Sequence, residues 1–205
     1  STEPLRRLVA ISGPRSSFDA LFSGAGGVEW YLGYHPLPTG GDLNVEDFRT
    51  RADMWAYALY ARRFLEDNAP FWLMAPADDL LSSEAADYGG GEVLAWPGEV
   101  YAVYLPSAAL PATLAAPDDG YSLRWYNPRT GVFAGEPLTV TAAGGALPLG
   151  LPPTDPAADW VPLLTPAAHP PLPTRRGAPA CAPPGPWPLS PHPHCYAHCN
   201  VPALR

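Results

Sequence analysis

Apolar positions follow a helical period in one stretch of the chain. Phe48, Ala52, Trp55, Leu59 and Arg62 fall at helical spacing, and Ala58 and Leu65 widen the stripe. Asn44-Val-Glu-Asp47 resembles a capping box, with a short acceptor three residues before an acid. The pattern predicts a helix over 46–67 that stops before Asn68-Ala-Pro70. Acids near its start and Arg62-Arg63 near its end suit the helix dipole. Upstream, Val28-Glu-Trp-Tyr-Leu-Gly-Tyr34 is an apolar and aromatic run between Gly-rich and Pro-rich flanks, and reads as a buried strand. Arg15 to Phe22 reads as a short helix before it.

The pattern then changes to short runs broken by turn residues. Glu92–Trp96 and Glu99–Leu105 face each other across Pro97-Gly98, a hairpin signal. Tyr121–Tyr126 leads into the turn Asn127-Pro-Arg-Thr-Gly131, then Val132-Phe133. Leu138–Thr141 and Asp159–Leu164 complete the set. Strands at this spacing predict a small antiparallel β-sandwich. Tyr101 and Val103 alternate with Val100 and Tyr104, so both faces of that strand receive apolar mass. Most of the aromatics Trp96, Tyr101, Tyr104, Trp125, Tyr126 and Trp160 therefore read as core; the other reading is a ligand platform. About 80 residues is near the lower end for an independent core, which favours docking on the first part.

Composition sharpens this picture in two places. The 205 residues include 29 Pro and 19 Gly, close to double the usual share of roughly 12%. Much of the excess lies in residues 166–205, which have no periodicity and predict a disordered, polyproline-like tail. All 12 cations are Arg, with no Lys or Gln, which reads as GC-rich coding. The net charge of −8 argues against a nucleic-acid partner, because phosphate binding needs a basic face. No apolar run reaches the 18 or more residues of a membrane span. The chain opens on Ser-Thr-Glu-Pro without a signal-peptide pattern, so processing removed one or the chain is part of a longer protein.

Candidate chemistry is sparse. Asp42, Glu46 and Asp47 cluster before the helix, but their spacing fits no EF-hand, and capping explains them. His192, His194, Cys195, His198 and Cys199 have donor types suited to zinc, without a scaffold around them. Three Cys, all in the tail, build no closed disulfide framework. The tail also reads as a GC-rich gene in another frame; a transcript keeping this frame across related strains would overturn that idea. No phosphate loop, dinucleotide fingerprint or nucleophile elbow is present. No metal and no cofactor is expected.

Several strings come in order: Gly24-Ala-Gly-Gly-Val-Glu-Trp-Tyr-Leu-Gly33, Asp42-Leu-Asn-Val-Glu-Asp-Phe-Arg49, Pro70-Phe-Trp-Leu-Met74, Pro97–Pro106, Arg124-Trp-Tyr-Asn-Pro-Arg-Thr-Gly131 and Asp159-Trp-Val161. Over about residues 15–165 the chain resembles the C-terminal part of the apiosidase-like glycoside hydrolases, a (β/α)8 barrel followed by a sandwich labelled a collagen-binding domain. The resemblance implies an α+β fold in three parts. Residues 1–76 would be the C-terminal remnant of a (β/α)8 barrel, 77–165 the antiparallel β-sandwich, and 166–205 the disordered tail. Val28–Tyr34 would be the last barrel strand and 46–67 the last barrel helix, with the rest of the barrel missing. No position matches the family's catalytic motifs, so the catalytic residues stay unknown.

Barrel active sites lie at the C-terminal strand ends, and glycoside cleavage uses two carboxylates. On that ground Glu29, Trp30 and Tyr31 are the candidate substrate-binding residues; the plainer reading pairs Glu29 with Arg49 or Arg51. The expected function is a C-terminal fragment of a glycoside-hydrolase-like protein, whose accessory sandwich has a structural or binding role and is not catalytic alone. Its partner would be a polysaccharide or an extracellular protein, with an extracellular or cell-envelope location and no membrane or nucleic-acid partner. The alternatives are a stand-alone carbohydrate- or collagen-binding module, and a non-functional truncated product. A truncated product would leave Trp55, Phe64 and Phe71 partly bare.

Overall fold

A computed structural model of the chain describes residues 14–28, 49, 52–83 and 91–168. Two α-helices, α1 (Pro14–Phe22) and α2 (Ala52–Asn68), precede a series of strands. These are β1 (Ala75–Pro76), β2 (Leu81–Ser83), β3 (Glu92–Trp96), β4 (Val100–Tyr104), β5 (Ala112–Ala115), β6 (Gly120–Asn127), β7 (Val132–Thr141), β8 (Ala146–Pro148) and β9 (Val161–Pro166). A six-stranded sheet has the order β1-β3-β4-β9-β6-β7, and a three-stranded sheet the order β2-β5-β8. Every pairing is antiparallel. No helix among the described residues is long and apolar enough to cross a membrane.

The strand period of two sorts the large sheet's side chains into two cores. Tyr101, Val103, Leu123, Trp125, Trp160 and Leu164 pack toward Leu114 and Leu147 of the small sheet. Val100, Ala102, Tyr104, Tyr126, Val161 and Leu163 pack toward Phe18, Phe22 and Phe64 of the helices. All five residues of β4 are buried as a result. The helical layer is held by aromatic contacts. The ring of Phe18 lies 5.5 Å from that of Tyr104 and 5.9 Å from that of Phe64, and Phe64 lies 4.8 Å from Tyr126.

This architecture corrects the expected barrel remnant. A (β/α)8 barrel alternates helices with parallel strands. Among the described residues all strand pairing is antiparallel, and the two helices lie together on one face of a sheet. The fold is mainly β. Of the expected strand Val28–Tyr34, all but Val28 lies outside the described residues, as does the tail from residue 169.

The buried face of α2 also differs from the expected stripe. Met54, Ala61, Phe64 and Leu65 point inward, whereas Trp55 and Leu59 each keep 36% exposure. Phe64, expected to be partly bare in a truncated product, is fully buried; Phe71 is half-buried. The helix carries apolar residues on two faces, and the aromatic face of the sheet selects the one bearing Phe64.

The hairpin β3–β4 forms as expected, with Gly98 at φ 84° in its turn. The β6–β7 pairing shifts register between Leu123, opposite Leu138, and Trp125, opposite Ala134. Gly135, at φ 71°, and Pro137 fall in the resulting bulge; Pro has no N–H to give to a ladder, so bulges suit it. A sandwich implies a second sheet, but the strands that form it here, β2, β5 and β8, are not among those the pattern predicts. Its strands, Leu-Ser-Ser, Ala-Thr-Leu-Ala and Ala-Leu-Pro, are too short and too rich in small residues to signal themselves.

Candidate functional site

Two features stand out from the packed layers: an ionic cluster at one end of the large sheet, and an apolar cavity beside the helices.

The cluster is organised by the β6–β7 turn, Asn127-Pro-Arg-Thr-Gly131. The Asn127 side-chain oxygen accepts from the Arg129 N–H at 3.0 Å, and the Asn127 carbonyl accepts from the Gly131 N–H at 2.9 Å. Such an Asx turn fixes the direction in which Arg129 leaves the turn. Arg129 Nη1 donates to the Asp159 carbonyl at 2.9 Å and to its Oδ1 at 2.8 Å. Tyr104 donates its hydroxyl to the other carboxylate oxygen at 3.2 Å. The guanidinium carbon stands 5.3 Å from the Trp160 ring centre, and the Trp160 indole N–H donates to the Asp155 carbonyl at 3.1 Å. Tyr57 of α2 senses the same charges. Burial first, then Asp53 and Asp159, push its phenol pKa up. Both oxygens of Asp159 are thus engaged, and the cluster ties the turn and β4 to the segment leading into β9. Its chemistry is that of a structural clamp.

The cavity has a volume of about 650 Å³, within the range of roughly 300–1,000 Å³ usual for ligand sites. Its wall is mainly apolar: Leu21 of α1, Leu65 of α2, Phe71 and Met74 after α2, and Leu94 of β3. Gly24 to Val28 form another side. Glu66 is the one carboxylate among the described lining residues, and Arg62 pairs with it at 3.2 Å. Glycoside cleavage by the usual route needs two carboxylates flanking the scissile bond, and the described lining residues do not supply a second. The Ser17 hydroxyl is buried nearby without a hydrogen-bond partner. Among the described residues no group of three or more His, Cys, Asp or Glu is placed to hold a metal ion.

Glu29, Trp30 and Tyr31 lie outside the described residues, as do Asp42, Glu46, Asp47, Arg51 and the His and Cys residues of the tail. Of the aromatic residues weighed as a platform, Tyr101, Tyr104, Trp125, Tyr126 and Trp160 are buried, and Trp96 is half-buried. They are core. The sequence reading missed the cavity. Its one local signal was the apolar run Pro70-Phe-Trp-Leu-Met74, which folds as a single 3-10 turn over Phe71–Leu73.

No family model matches the sequence, and no curated protein does. Solved structures are similar in fold. One is described as a glycoside hydrolase, with 14% identity and a TM-score of 0.50; another is a glycoside hydrolase family 5 protein from Bacteroides vulgatus ATCC 8482, with 13% identity and a TM-score of 0.51. Each match covers 76% of this chain and 36% of the other. The chain therefore has a glycoside-hydrolase-like fold and spans little more than a third of the length of these structures.

Proposed function

We propose that this chain is the C-terminal, accessory segment of a glycoside-hydrolase-like protein, with a structural or binding role and no catalysis of its own. The extent of the fold match carries the reading: most of this chain resembles a minor part of each glycoside hydrolase. The chemistry of the described residues agrees with it. The cavity offers one carboxylate, already paired, and the Arg129–Asp159 cluster is closed on itself. The parent would be related to the apiosidase-like enzymes, would act on a plant-type polysaccharide, and would work outside the cell or in its envelope.

The test is to assay the purified 205-residue chain on a panel of polysaccharides and aryl glycosides, and to measure its retention on insoluble polysaccharide and on collagen. The expected result is no turnover. Turnover abolished by Glu29→Gln would overturn the reading and make the chain an enzyme. Retention on one matrix, without turnover, would assign the accessory role to binding; retention on neither would leave a structural role.

A further inference from the structure

The backbone is strained at Asp155. Among the described residues it is the one non-glycine with positive φ, at 45°, a left-handed conformation that crowds an L side chain. The next residue is Pro156, whose ring further narrows what the residue before it can adopt. Asp155-Pro156 is also the single Asp-Pro bond in the 205 residues.

The carbonyl of that bond is held by two donors. The Ala158 N–H gives to the Asp155 carbonyl oxygen at 3.0 Å, and the Trp160 indole N–H gives to it at 3.1 Å. Trp160 is fully buried and its backbone pairs with Leu105, so the indole is fixed in place. Two preorganised N–H donors on one carbonyl oxygen can stabilise a negative charge that develops there. The Asp155 side chain carries the other reactant. Its carboxylate can close a five-membered ring on its own carbonyl carbon, and an intramolecular attack of this kind needs no encounter. The side chain is 68% exposed, so water reaches it. The facing cation, Arg129, stands 3.9 Å from its Oδ2 and is engaged more closely by Asp159, at 2.8 Å.

We propose that Asp155-Pro156 is a self-cleavage site. A carboxylate oxygen of Asp155 attacks the Asp155 carbonyl carbon. The charge gathering on the carbonyl oxygen is met by the N–H groups of Ala158 and Trp160. The C–N bond to Pro156 then breaks, and the proline nitrogen leaves as an amine with a proton taken from solvent. A cyclic anhydride remains on Asp155, and water opens it to two carboxyl groups. One water is consumed, and nothing is oxidised or reduced. The cut relieves the left-handed conformation at Asp155. It is a single event within the chain and stands apart from the accessory role proposed above. β9 pairs with β4 on one side and β6 on the other, so the C-terminal piece keeps its place in the sheet.

The experiment follows the intact mass of the 205-residue chain in mildly acidic buffer, once folded and once in enough urea to unfold it. The expected result is two products, 1–155 and 156–205, whose masses add up to that of the chain plus one water. They should form at least about tenfold faster from the folded chain. Equal or faster cleavage in urea would reduce the bond to the ordinary acid lability of Asp-Pro and overturn the proposal, as would a folded chain that stays uncut. Asp155→Ala should abolish the cut; a cut that persists at this bond would remove the carboxylate from the step. Trp160→Phe keeps a ring in the core and deletes the donor. It should slow the cut at least about tenfold, and an undiminished rate in a variant that still unfolds cooperatively would overturn the role of the indole. The comparison of folded and unfolded chain decides the proposal even where that variant fails to fold.

Discussion

Gly131 lies so close to the Tyr60 ring that a Cβ at this position would overlap it. Gly131 also has φ 76°, a left-handed conformation that L side chains rarely adopt. The turn between β6 and β7 is thereby pressed against α2, and Tyr126 donates its hydroxyl to the Tyr60 carbonyl at 3.0 Å from the strand beside it. Gly131→Ala should destabilise the chain by about 2–4 kcal/mol, from backbone strain and overpacking together. Urea denaturation would measure it. Tyr60→Ala should relieve part of the loss, so the double variant should cost less than the two single losses added.

Arg129 and Asp159 should behave as one unit. Removing the guanidinium strands a carboxylate that is largely shielded from solvent, so Arg129→Ala should cost about 1–3 kcal/mol, less than a fully buried pair because both groups keep some solvent. The double variant with Asp159→Ala should recover part of that loss. Equal, additive losses in a double-mutant cycle would show that the pair is not coupled.

Stability should fall in alkali. Burial pushes the Tyr126 phenol up from its ordinary 10.0 to about 12, and also raises Tyr121 and Tyr57. The unfolded chain therefore releases these protons before the folded one does. What the neutral phenol contributes is intact below pH 10 and lost as the pH rises from there to about 12. Thermal midpoints across this window should drop, and Tyr126→Phe should drop less steeply. That variant should itself lose about 1 kcal/mol at neutral pH, from the hydrogen bond to Tyr60.

The helical layer should be needed by the sheet. A fragment starting at residue 77 would bare Val100, Tyr104, Tyr126, Val161 and Leu163, all buried under the helices. It should aggregate or show no cooperative transition by circular dichroism. A sharp transition would show instead that the two sheets stand alone.

The sequence made the large sheet legible where turn chemistry was explicit. Pro97-Gly98 and Asn127-Pro-Arg-Thr-Gly131 pinned two hairpins, and alternation told which residues of β4 face which way. Pattern alone failed where an element is brief or doubly apolar. Leu81-Ser-Ser83 and Ala146-Leu-Pro148 owe their strand form to neighbours far along the chain. In α2 the choice between the Trp55 face and the Phe64 face is made by Phe18, Tyr126 and Phe133, which no local window contains. The expected barrel came from resemblance, and pairing direction, which overturned it, is not written in any single strand. The cavity was invisible because its walls come from α1, α2, the Phe71–Met74 run and β3, and only tertiary structure brings them together.

The double burial of β4 has a consequence for the order in which the molecule comes apart. Val100 to Tyr104 stay shielded on one side if the helices lift, and on the other if the small sheet opens. Neither partial opening admits solvent to both sides of the strand. Its amides should be the last to take up deuterium, and the interval before they do would time the loss of the whole fold.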